Sequence, residues 1–141
     1  RSLPFGKRNH YEESMKLIIT GGRDYDNYGA VQDVLDHIYD HQFKGQIVSL
    51  VQGGARGADA LGKKWAISRN IPYEQFDADW HRYGKAAGVM RNQEMLDESG
   101  ECIVVAFPGG RGTFDMIQRT KRAGKFLIVV KDKEDELDRE G

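Results

Sequence analysis

Five short apolar runs separated by longer amphipathic stretches predict an α/β fold built on a mostly parallel five-stranded sheet. Three observations carry that expectation. The runs have strand length and are rich in β-branched or aromatic residues. Most are continuously apolar rather than alternating, as in strands covered on both faces. The stretches between them repeat their apolar residues at helical spacing.

The first run, Lys16 to Thr20, leads to a helix expected from about Tyr28 to Gln42, with Val31, Leu35, Ile38 and Tyr39 on one face. After the second run, Gln46 to Gln52, a helix carries Leu61, Trp65 and Ala66 inward. The third run, Ile71 to Phe76, precedes a loop, Trp80-His81-Arg82-Tyr83, and then a helix with Met90, Gln93 and Leu96 inward. The fourth, Cys102 to Phe107, is followed by a helix using Met116, Ile117 and Thr120, and Phe126 to Val130 is the fifth. Gly100 and Gly124 stand where helix C-terminal caps belong. Repeated right-handed β-α-β units give a doubly wound, Rossmann-like three-layer sandwich with strand order 3-2-1-4-5. Such a sheet binds ligands beyond the carboxyl ends of its strands, here where the first and fourth strands flank the reversal of winding.

The chain has 141 residues, enough for one domain with a buried core. The expected body spans residues 15–131, opening at Met15 as a native start. Residues 1–14 read as a flexible N-terminal arm or a tag remnant, and 132–141 as an acidic, solvated tail. A single cysteine, Cys102, makes no disulfide framework and no cysteine-rich zinc site, so a reducing, cytoplasmic setting is expected. His37 and His41 lie one helical turn apart, but Ile38 stands where a zincin has glutamate, so no metal site is expected. No cofactor is called for, and no run reaches the roughly 18 residues of a membrane span. A net charge of −1 argues against a generic nucleic-acid binder.

Glycine is the compositional oddity: 17 residues, about 12% against an average of roughly 7%. Three pairs each follow a strand, Gly21-Gly22, Gly53-Gly54 and Gly109-Gly110, and each is soon followed by an arginine, Arg23, Arg56 or Arg111. Glycine pairs make tight turns, but their N–H groups also approach a ligand closely, and a helix starting there adds partial positive charge. Three such turns on one sheet edge make an anion cradle. The familiar nucleotide motifs do not explain them. Gly57-x-x-x-x-Gly62-Lys63 has P-loop spacing, but Lys64 replaces the magnesium-binding hydroxyl and Ala58 to Leu61 reads as helix. Gly110-x-Gly112 is followed by Asp115 where a dinucleotide fingerprint has a small residue.

Four segments carry a resemblance. Ile19-Thr20-Gly21-Gly22-Arg23-Asp24-Tyr25, Gly53-Gly54-Ala55-Arg56-Gly57-Ala58-Asp59, Ala87-Gly88-Val89-Met90-Arg91-Asn92-Gln93 and Phe107-Pro108-Gly109-Gly110-Arg111-Gly112-Thr113 resemble the YspA, cpYpsA-related branch of the SLOG superfamily. The resemblance runs from about Met15 to Lys131. It implies a Rossmann-like domain that binds a nucleotide-derived ligand, and homodimerisation as in the related LOG phosphoribohydrolases. LOG enzymes carry Pro-Gly-Gly-x-Gly-Thr-x-x-Glu, and Met116 stands at the glutamate position. A thioether neither accepts a proton nor stabilises oxocarbenium-like charge. Asp115 is adjacent, but one residue along a helix is a rotation of about 100°. Arg91 matches the LOG arginine, with Asn92 in place of the lysine that follows it.

The sequence therefore favours binding of a nucleotide, nucleotide-sugar or ADP-ribose-like ligand over turnover. The expected contacts are Gly21, Gly22 and Arg23 in the first turn; Gly53, Gly54, Ala55, Gly57 and Asp59 in the second; and Pro108, Gly109, Gly110, Gly112 and Thr113 in the third. Trp80 would stack on a base or pack within its loop, and Arg91 and Asn92 would add donors. Asp59 would read a ribose hydroxyl or cap its helix. The alternatives are a LOG-like N-ribohydrolase acting on nucleoside monophosphates, with Arg91 and Asp115 as the catalytic candidates, and single-stranded DNA binding of the DprA kind.

Overall fold

The structure is a computed structural model that describes residues 14–132. The expected arm and tail lie outside the described residues, save for Ser14 and Asp132. Strand β1 (Met15–Thr20) lies at the centre of the sheet, hydrogen-bonded in parallel to β2 (Ile47–Gln52) on one side and to β4 (Cys102–Ala106) on the other. The edges are β3 (Tyr73–Gln75) and β5 (Phe126–Val129). All pairings are parallel and the order is 3-2-1-4-5, as the alternating pattern predicts.

Period two in β1 separates the two halves of the core. Leu17 and Ile19 face Val31 and Leu35 of α1 (Tyr28–His37) and Trp65 and Ala66 of α2 (Ala58–Ser68). Ile18 faces the other way, onto Met95 and Leu96 of α4 (Ala87–Ser99) and Met116 of α5 (Arg111–Arg122). Helices thus cover both faces. A short helix, α3 (Trp80–Tyr83), followed by a 3₁₀ turn at Gly84–Ala86, occupies the expected loop after β3.

Four local expectations need correction. The third strand is three residues long rather than six, because it is a sheet edge whose Tyr73 and Gln75 face solvent. The fifth is likewise a half-exposed edge. The first helix stops being α-helical at His37 and continues as a π-turn over Ile38–Gln42, closed by the Phe43 N–H on the Ile38 carbonyl at 2.8 Å. The buried face of α4 is Asn92, Met95, Leu96 and Ser99, whereas Met90 is exposed. Counting apolar residues misses that face, because Asn92 is buried with its hydrogen bonds satisfied and so behaves as a core residue.

The strand ends are held in register by loop contacts. The Gly22 N–H donates to the Pro108 carbonyl at 2.9 Å, joining the loops after β1 and β4 where the winding reverses. The Gly22 carbonyl accepts the Ala58 N–H at 3.0 Å, which ties the start of α2 to the same point. A Cβ on Gly22 would lie 2.9 Å from the Pro108 oxygen, so the two loops pack backbone against backbone. Tyr25 stacks against Phe107, with centroids 5.4 Å apart, and its hydroxyl donates to Asp132 at 3.3 Å. Burial and that carboxylate push the phenol up to about 12.

Candidate functional site

Beyond the carboxyl ends of β1, β2 and β4 lies a cleft of about 440 Å³. From the first turn it takes Gly21, Gly22 and Arg23; from the second, Ala55 and Asp59; from the third, Gly110, Gly112 and Thr113. Trp80, Arg91 and Asn92 complete the expected residues that line it. The other expected contacts sit elsewhere. Gly53 lies behind the Arg91 side chain, and a Cβ there would come within 2.7 Å of the guanidinium carbon. Gly54 faces Gln75 and Asp77, and Gly57, with φ +77°, packs on Gly22 and Arg23. Pro108 and Gly109, with Phe114 and Val130, line a neighbouring groove that shares Gly110 and Thr113 with the cleft.

The amide donors are not equally free. In the first turn Gly22 donates to Pro108, as described. In the second, the Gly54 N–H donates to Gln52 Oε1 at 2.6 Å and the Ala55 N–H to Asp59 Oδ2 at 3.2 Å. The third turn differs. It opens the 12-residue helix α5, whose N-cap Gly110 supplies no side-chain acceptor. The N–H groups of Arg111, Gly112 and Thr113 point along the helix with no partner among the described residues, as the first-turn amides of any helix do unless capped. A Cβ added at Gly110 or Gly112 would meet nothing within 4 Å, so no protein neighbour accounts for glycine at either position.

The charges converge in the same way. Arg23, Lys85, Arg91 and Arg111 line the cleft, and among the described residues none of them forms an ion pair with a carboxylate. Arg91 is fixed rather than free: Nη1 donates to the Gly53 carbonyl and Nε to Asn92 Oδ1 at 3.3 Å. Its Nη2 donates to no protein atom among the described residues. Burial lowers its pKa, opposed by the nearby Asp59. Asn92 in turn donates to the Gly112 carbonyl at 3.2 Å and to Asp115 Oδ2 at 3.1 Å. It braces the start of α5 rather than presenting a spare donor.

Asp59 is the only carboxylate lining the cleft among the described residues, and it is 7% exposed. It does not cap α2, whose N-cap is Gly57. It reaches back to close the second turn on the Ala55 N–H. Burial pushes its carboxyl up to about 6, against the pull of that amide and of Arg91. Trp80 stands half-exposed at the mouth, with the Arg23 guanidinium 5.2 Å above its ring.

Two residues weighed for catalysis are placed away from chemistry. Met116 is fully buried against Ile18 and Val104 and does not line the cleft. Asp115 also lies outside the cleft, with Oδ2 held by Arg119 at 2.8 Å and by Asn92. Cys102 is buried, with its thiol pushed up by burial. His37 and His41 are exposed neighbours, and no group of metal ligands occurs among the described residues.

Sequence reasoning missed Thr20, Lys85, Gly88, Val89, Met95 and Arg111 as lining residues. A signal for part of this set exists: Gly88, Asn92 and Met95 follow one another at helical spacing on α4.

The family described as "YspA, cpYpsA-related SLOG family" matches residues 15–83, which contain the first two glycine turns, Asp59 and Trp80. "Gene 61 protein" of Mycobacterium phage D29 is 37% identical over 125 residues, covering 84% of this chain and 98% of that protein. No solved structure matches the chain. On the match over residues 15–83, and on a relative 37% identical over 84% of its length, this chain belongs to the YspA, cpYpsA-related SLOG family.

Proposed function

We propose that this protein binds a phosphate-bearing, nucleotide-derived ligand at the carboxyl ends of its strands, as a sensor or carrier. One observation carries the reading: four cationic side chains without ion-pair partners among the described residues line the same cleft as an uncapped helix N-terminus. Unpaired positive charge converging on free amides is what an anion requires. A phosphate would accept from the Arg111, Gly112 and Thr113 N–H groups and the Thr113 hydroxyl. Arg91, braced by Gly53 and Asn92, would present Nη2 to it. Asp59 would accept a ribose hydroxyl and Trp80 would stack on the base.

The test is mass spectrometry of small molecules released on denaturation, together with thermal shift against AMP, ADP and ADP-ribose. A co-purified nucleotide derivative, or a shift that Arg91→Ala abolishes, supports the reading. No released molecule and no shift with any of the three defeats it.

A second reading, LOG-like hydrolysis of nucleoside monophosphates, is favoured by Asp59, the carboxylate that lines the cleft among the described residues, which burial pushes up to about 6. Against it stands the burial of Met116. Free base appearing from AMP, and lost in Asp59→Asn, would select hydrolysis; AMP recovered intact selects binding. DprA-like retention of single-stranded DNA has less support, because the basic groups lie in a cleft rather than across a face. A homodimer remains the family expectation, checked by sedimentation.

A further inference from the structure

The cleft does not end at Trp80. A second cavity, of about 450 Å³, adjoins it and shares Arg23, Ala55, Trp80 and Arg91 as the common boundary. Its one further lining residue is Arg56. Three guanidinium groups and an indole therefore line this outer compartment, and no carboxylate among the described residues does. Each compartment falls within the range of about 300–1000 Å³ typical of small-molecule sites.

Arg56 has little structural reason to be there. Its one ion pair among the described residues is with Asp24 at 3.5 Å, and the two side chains are 75% and 95% exposed. Such pairs contribute little to stability and exchange readily for a better acceptor. Arg23 is held differently, over the Trp80 ring, where stacking leaves its N–H edge available in the plane of the guanidinium. Arg91 belongs to both compartments, so an anion on either side of it is in reach of the same fork.

We infer that the outer compartment is a second phosphoryl subsite, with Arg56 as its selecting residue, and that the ligand carries two phosphoryl groups: one at the start of α5 and one among Arg23, Arg56 and Arg91. This rests on the proposed binding function and narrows it to nucleoside diphosphates and pyrophosphate-bridged ligands, as opposed to nucleoside monophosphates. A single phosphate at α5 would leave three guanidiniums around an outer compartment in which Arg56 is met only by its exposed pair with Asp24. A second phosphoryl group relieves the repulsion among them and accepts the planar, paired donors that arginine offers.

Calorimetric titration of the whole chain with AMP, ADP and ADP-ribose tests this, with Arg56→Ala as the variant. The wild type is expected to bind ADP or ADP-ribose at least about tenfold tighter than AMP. Arg56→Ala should remove most of that advantage while leaving AMP affinity within about twofold. ADP against ADP-ribose separates a terminal from a bridging second phosphoryl. Equal affinity of the wild type for all three, or an equal loss for all three in Arg56→Ala, overturns the subsite and leaves mononucleotide binding standing. If none of the three binds, both the subsite and the parent reading fall.

Discussion

Asp59 shows how one side chain couples the site to stability. Its carboxyl ordinarily titrates near 3.8 and in the folded protein near 6, so the folded state keeps a proton that the unfolded chain releases between those values. Stability from this group therefore falls as pH rises through that window. At about 1.4 kcal/mol per unit, ionised and buried Asp59 costs up to about 3 kcal/mol above pH 6. Asp59→Asn should stabilise the unliganded protein at pH 7.5 by roughly 1–3 kcal/mol and leave it little changed at pH 4, read by urea denaturation. An equal effect at both values would show that the carboxyl is not buried as described. Arg91 is the converse case, since Nη1 and Nε are committed to the Gly53 carbonyl and Asn92, which orients Nη2. Arg91→Lys keeps the charge but cannot make both bonds, so nucleotide affinity should fall at least about tenfold, nearly as far as in Arg91→Ala. Affinity kept by the lysine variant would mean that charge alone suffices.

Helix α5 separates binding from folding more cleanly than any single charge. Gly112 sits in its first turn with nothing within 4 Å of an added Cβ. Gly112→Ala should therefore leave stability unchanged or raise it by up to about 1 kcal/mol, since alanine is the better helix former. It should weaken nucleotide binding, because a methyl group would stand where the phosphate approaches the amides. A melt that drops by several degrees would refute the open placement of that residue. Gly53→Ala is predicted to behave oppositely, displacing the Arg91 guanidinium and lowering both stability and affinity. Helix α2 supplies a purely structural contrast. Trp65 is buried, donates to Asp36 at 2.8 Å and packs edge-on against Tyr39. Trp65→Ala should cost about 3–5 kcal/mol in denaturant unfolding without a specific effect on ligand affinity measured below the melt.

Across the molecule, the doubly wound architecture brings the glycine-bearing loops that follow β1, β2 and β4 to one edge of the sheet. Much of this was legible from residues read locally. Strand-length runs, helical spacing, the caps at Gly100 and Gly124 and the loss of the LOG glutamate at Met116 are properties of short windows, and the backbone answers to short windows through propensity and periodicity. What a window cannot hold is the pairing of polar groups across distant loops. The Arg91 side chain finds the Gly53 carbonyl 38 residues away, Asn92 braces Gly112 at 20, and Gly22 spends its amide on Pro108. Those partnerships fix where the Arg91 and Asn92 side chains and the Gly22 amide are spent, and they exist only once the loops have met. The run of elements was thus written in the order of residue types. The identity of the open donors was not, because a hydrogen bond is satisfied by whichever group the fold places within about 3 Å of it.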